Sequence, residues 1–114
     1  MKHSTGVATI AERRRFIAIK GAGCIVCHGM QRNNAPEIHH LICGSRRIGH
    51  EATIGLCQWH HRRVPIAVDG ECSHAACRRE LGPSLLDGSK AFHDTHGSDE
   101  QLLEKQNALL ERIK

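Results

Sequence analysis

Two short stretches each set adjacent histidines beside a cysteine: "EIHHLIC" carries His39 and His40, and "CQWHH" carries His60 and His61. Thiolate and imidazole are the usual ligands of zinc, and a free imidazole is the commonest general base at neutral pH. Spacing separates these two jobs. Cys24-x2-Cys27 and Cys57-x2-His60 are ligand pairs of zinc-knuckle spacing, and together they make a Cys3His set for one tetrahedral structural ion. That ion would join points far apart in sequence and close the segment between them. His61 follows the last ligand and points elsewhere, while His39 and His40 lie within the closed segment. A hairpin and helix tied in this way bring His39, His40 and His61 close together. Two facing imidazoles can hold a second, open-site metal, and the third is then a base with a pKa near neutrality. The plainer alternative is that these histidines only pair with backbone or acidic groups.

The elements that must position these residues can be read from the same sequence. Its 114 residues are 39% hydrophobic but only 3% aromatic, so one small domain over 1–114 must form with few large core side chains. A metal clip would partly replace that core. Thr9 and Glu12 form a capping box that starts a helix over 10–20, with Ile10, Phe16 and Ile17 as its apolar stripe and Gly21 as its stop. In the core segment, 24–63, "CIVCHGM" reads as a tight knuckle, and "EIHHLIC" and "ATIGLC" as short strands. "GSRRIG" is a glycine-bounded turn, and "CQWHHRRV" opens a helix that Pro65 ends. "DGECSHAAC" is rich in turn residues. A C-terminal helical part over 78–113 holds a short helix in "DGSKAFHDTH" and a long one in "SDEQLLEKQNALLERIK". Ser98 and Gln101 cap the long helix, and Leu102, Leu103, Leu109, Leu110 and Ile113 give it one apolar face for packing or dimerisation. The class is α+β.

The formal charge of +4 and pI near 8.9 favour an anionic partner, with nucleic acid the commonest. Arg46, Arg47, Arg62 and Arg63 flank the histidines and can hold phosphates, although each is equally at home as a solvated side chain. No stretch has the apolar run of a secretory signal or a membrane span, so the expected location is cytoplasmic, with no membrane partner. The six cysteines then read as thiols rather than disulfides. Cys43 fits as a small buried hydrophobe. Cys72, His74 and Cys77 offer part of a second zinc set that lacks an evident fourth ligand.

Taken together, "CIVC", "IHHL" and "LCQWHH" resemble the HNH, or ββα-metal, nucleases across residues 24–63. A wider likeness runs from Ala11 to Leu110, through "EIHHLICGSRRIGHEATIGLCQWHHR" and "GPSLLDGSKAFHDTHGSDEQLLE". It resembles the phage recombination-enhancement (Ref-like, RecA-dependent) nucleases. The resemblance implies a ββα-metal core clipped by structural zinc on Cys24, Cys27, Cys57 and His60, with flanking helices. It implies His39 and His61 as ligands of a catalytic divalent ion and His40 as the general base. It also implies phosphodiester hydrolysis on DNA, RecA filaments as partners, and a phage or prophage protein in a bacterial host. The Asn at the centre of the HNH pattern has no counterpart here, since His50 and Glu51 stand near that slot. The two catalytic-ion ligands are both imidazoles, which leaves Mn²⁺ open beside Mg²⁺. A non-catalytic zinc module that binds nucleic acid or protein would use the same four zinc ligands, but it gives no reason for His39, His40 and His61.

Overall fold

The computed structural model describes residues 7–43, 46–47 and 52–112, with only the backbone described at 42, 43, 46 and 47. Helix α1 (Ile10–Ala22) begins at the expected capping box: Thr9 Oγ1 accepts from Glu12 N, and Thr9 N donates to Glu12 Oε1. It runs two residues beyond the expected stop. Its expected apolar stripe turns inward only at Phe16: Ile10 and Ile17 are exposed, and the helix buries Ile19 instead. Arg15 of the same helix is half-buried. Its guanidinium donates to Thr53 Oγ1 and Thr53 O and to Asn107 Oδ1, so it ties α1 to two later elements.

Next come α2 (Ile25–Gly29), β1 (Pro36–His40), β2 (Ile42–Cys43), β3 (Arg46–Arg47), β4 (Thr53–Cys57) and α3 (Gln58–Arg62). Strands β1 and β4 pair antiparallel, with His39 opposite Ile54 and His40 opposite Thr53. The expected turn around Arg46 instead contributes β3, which pairs with β2. Every residue of β4 is buried, as suits a strand covered on both faces, whereas β1 is half-buried along its length. Gly55 makes this coverage possible: a Cβ there would lie 2.7 Å from Ile19 Cγ2 and 3.1 Å from Gly23 O. Helix α3 ends before Pro65, because Arg63 adopts a left-handed conformation that closes it.

The segment expected to be turn-rich holds α4 (His74–Leu81), which starts at Ser73, where the Ser73 hydroxyl accepts from Ala76 N. The C-terminal helical part therefore begins before residue 78. A 3-10 turn (Leu85–Asp87), α5 (Ser89–His96) and α6 (Asp99–Arg112) complete the described chain. Leu102 and Leu109 of α6 are buried, Leu103 and Leu110 are half-buried, and Ile113 lies outside the described residues. Trp59, Phe92, Ile54, Leu56, Leu81 and Leu102 fill the core around three buried cysteines, Cys24, Cys27 and Cys57. No helix among the described residues is long and apolar enough to cross a membrane.

Candidate metal centre and active site

Cys24 and Cys57 each stand just before a short helix, and each sulfur accepts from the backbone N–H three residues on, at Cys27 and His60 respectively. This N-capping geometry explains the C-x2-C and C-x2-H spacing: residues i and i+3 of a first helical turn face the same point. β4 then carries Cys57 to the start of α3, beside the α2 knuckle. The four ligand atoms of Cys24, Cys27, Cys57 and His60 all lie within 4.8 Å of one another, and all four residues are buried.

The separations test the fit of a metal. Tetrahedral zinc with ordinary bond lengths sets sulfurs about 3.8 Å apart and sulfur about 3.6 Å from nitrogen. Cys27 and Cys57 are 3.8 Å apart, and His60 Nδ1 lies 3.3, 3.5 and 3.6 Å from Cys57, Cys24 and Cys27. His60 Nε2 meets the Leu81 carbonyl at 2.8 Å; a carbonyl only accepts, so the proton sits on Nε2 and Nδ1 keeps its lone pair for an ion. Asn34 Nδ2 donates to Cys27 Sγ at 3.2 Å, a further bond to a sulfur. Burial opposes ionisation of Cys24, but hydrogen bonds with Cys27 and Cys57 outweigh it and bring its pKa down to about 3. Cys24 and Cys57, with burial, push the Cys27 thiol up. Ionising one crowded sulfur thus raises another, and a divalent ion at their centre would lift that restriction. The donor set fits a structural zinc ion.

One residue further along the same helix, His61 meets His39 of β1. Their rings stand 5.0 Å apart, inclined at 65°. Glu37, two residues before His39 and so on the same face of β1, accepts from His61 Nδ1 at 2.9 Å. An ionised carboxylate is acceptor-only, which fixes the proton on Nδ1 and leaves the lone pair of His61 on Nε2. Arg62 grips the same carboxylate through Nε at 2.8 Å and Nη2 at 2.5 Å. The Arg62 hydrogen bond, helped to a lesser degree by His61, holds Glu37 below the ordinary carboxylate value against the opposing pull of burial. Sequence reasoning passed over Glu37. Its signal was the alternation Glu37-x-His39, which puts a carboxylate and an imidazole on one side of a strand.

His40 points to the other side of β1, where its ring packs edge-on against Phe16 of α1 at 6.1 Å. The structure therefore brings His39 and His61 together and gives His40 a separate contact. Arg62 is engaged by Glu37. Arg63 is engaged by Asp87 at 2.8 Å, with its guanidinium 6.0 Å from the Trp59 ring. The side chains of Arg46, Arg47 and Cys43, and all of His50 and Glu51, lie outside the described residues.

Among the described residues the Cys3His group alone gathers three or more candidate metal ligands. The residues considered for a second zinc are otherwise employed: Cys77 is buried with Sγ 3.3 Å from Ile66 O, His74 stacks edge-on against Trp59, and Cys72 is exposed. No curated protein matches the chain. The model of one family matches residues 8–111, nearly the whole described structure, and its description is recombination enhancement, RecA-dependent nuclease. By that match, the chain with this buried Cys3His group and the His39–His61 pair beside it belongs to the family of RecA-dependent nucleases of recombination enhancement.

Proposed function

We propose that this protein is a metal-dependent DNA endonuclease of the HNH type, acting in recombination on DNA coated by RecA. The observation that carries the reading is the His39–His61 pair, 5.0 Å between rings, with His61 oriented by Glu37 at the junction of β1 and α3. The antiparallel β1–β4 pair followed directly by α3 supports a ββα arrangement. A zinc-stabilised binding module would account for the Cys3His group, but it needs no carboxylate to set the tautomer of a partly exposed histidine.

His39 and His61 would hold the divalent ion, Mg²⁺ or Mn²⁺; two imidazole donors suit Mn²⁺ better than the harder Mg²⁺. When bound, that ion supplies positive charge against the phosphate and the leaving 3′ oxygen. Glu37 keeps the His61 ring in one orientation and one tautomer. His40 is the general base of this reading. It takes a proton from the attacking water, and the products carry 5′-phosphate and 3′-hydroxyl ends.

The test is cleavage of plasmid and oligonucleotide DNA with Mg²⁺ or Mn²⁺, with and without a RecA filament. His40→Ala should keep its zinc and its DNA affinity and lose about 10²–10⁴-fold in cleavage. Parental cutting by His40→Ala removes that histidine as the base. A parent protein that cuts no DNA with either ion, with or without the filament, leaves the binding module as the answer.

A further inference from the structure

Among the described residues, several cations around the candidate active site are already committed to carboxylates. Arg62 faces Glu37, Arg63 and Arg78 share Asp87, and Arg32 faces Asp69 and Glu80. Lys105 and Arg112 of α6 are exposed, and neither makes an ion pair with any described residue. Seven residues apart, they fall on one face of the helix, about 10 Å from each other along its axis. Both line a groove of about 420 Å³ between α2 and α6. Ile25, Ala108 and Leu109 give it an apolar floor, His28 adds a ring N–H donor, and no carboxylate lines it. At Gly29 nothing lies within 4 Å of where a Cβ would sit, so the backbone of α2 is open to an approaching ligand there. The groove does not stop at Lys105. A second depression, sharing Ile25, Gly29 and Lys105, continues it past Met30 toward Thr95 and His96.

We infer that this α2–α6 groove is a track for the nucleic-acid backbone, with Lys105 and Arg112 contacting phosphates outside the metal centre. An elongated channel with spaced, uncommitted cations and no carboxylate matches a linear polyanion. Arg62 and Arg63, by contrast, must break an ion pair before they reach a phosphate. Cys24 and Cys27 flank the start of α2, while Cys57 and His60 begin the helix that carries His61. The Cys3His group therefore links the track to the candidate active site. The inference rests on DNA being the substrate.

The experiment is fluorescence anisotropy with labelled single-stranded and duplex oligonucleotides across a salt series, with no divalent ion added. Lys105→Ala/Arg112→Ala should lower the slope of log affinity against log salt by about 1.8 on duplex and about 1.4 on single strands. Ala108→Glu, which adds a carboxylate to the channel, should weaken binding with both cations in place. Arg79→Ala, an exposed arginine already paired with Glu71 and Glu80, should keep the parental slope. Zinc content and melting temperature should match the parent in each; if the double variant does not fold, Lys105→Gln carries the same test at half the change. A parental slope in the double variant overturns the inference. So does a variant that keeps the slope but is no longer captured by RecA filaments, which would make the groove a protein-docking surface. A parent that binds without cutting removes the endonuclease reading and leaves the groove. Cutting with an unchanged slope in the variant removes the groove alone.

Discussion

Replacing His60 or His61 with alanine changes neighbouring residues on one short helix, and the structure predicts opposite outcomes. His60 is fully buried, with Nδ1 within 3.6 Å of three sulfurs and Nε2 on the Leu81 carbonyl. Removing a buried ring of this size costs about 3–5 kcal/mol. The abandoned Leu81 carbonyl adds about 1–3 kcal/mol. That total of about 4–8 kcal/mol, before any loss of bound zinc, rivals the whole stability of about 5–15 kcal/mol expected of a domain. At about 3–5 °C per kcal/mol for a chain of this size, His60→Ala should melt at least about 12 °C below the parent, or fail to fold. His61 is partly exposed and holds up no core. His61→Ala should keep its zinc and melt within a few degrees of the parent, yet lose at least the 10-fold in cleavage that weaker, indirect changes at metal sites produce. Elemental analysis, a circular-dichroism melt and nicking of supercoiled plasmid, run in parallel, check all three. A His60→Ala protein with one equivalent of zinc and parental melting would refute the reasoning, as would a His61→Ala protein that nicks normally.

Glu37→Ala should reduce divalent-ion-supported nicking by about 10–100-fold while zinc content holds, and added Mn²⁺ should recover part of the loss; kinetics at two Mn²⁺ concentrations decide it. Glu37 and Asp87 also set an acid limit. Arg62 lowers Glu37 from its ordinary value of 4.5; burial raises Asp87 from 3.8, but the Ser84 N–H and Arg78 outweigh it. Folded values below unfolded ones mean that this stabilisation is complete above about pH 4.5 and lost as pH falls through the folded values. Melting temperature against pH should drop below that point, less steeply in Glu37→Gln. Gly55→Ala should destabilise by about 1–3 kcal/mol through the contacts with Ile19 and the Gly23 carbonyl. Chemical denaturation should show Ile19→Ala and Gly55→Ala to be less harmful together than the sum of the two alone.

The convergence of Cys24, Cys27, Cys57 and His60 was legible because it is built locally: a cysteine before a short helix and a second donor three residues on need only one helical turn to meet. The facing of His39 and His61 was legible once a strand and a helix were assigned around that clip. Glu37 was not, since its bonds to His61 and Arg62 join positions 24 and 25 residues apart, and an acidic residue on a strand has many ordinary explanations. The same limit hid Arg15, whose partners Thr53 of β4 and Asn107 of α6 lie 38 and 92 residues away. The segment 74–81 misled for a different reason. "CSHAAC" looked like turn or ligand chemistry, whereas Ser73 acts as a helix cap and the cysteine that follows packs inside. Ile10 and Ile17 suggested an inward face, but tertiary packing chose Ile19 on the other side of the helix.

The outer edge of β4 is closed without a third strand. Gln106 Oε1 of α6 accepts from Gly55 N at 2.8 Å, and Arg15 donates to Thr53 O at 2.7 Å. These outward-facing backbone groups are the ones a neighbouring strand would otherwise recruit. One amide and one guanidinium thus stand where an additional strand would have to pair. A chain whose last helix came loose would present a normally buried strand with unmet donors and acceptors, the template on which copies join edge to edge. The C-terminal helix consequently guards solubility as well as packing, and aggregation rather than simple unfolding is the fate to expect of a chain cut short before Gln106.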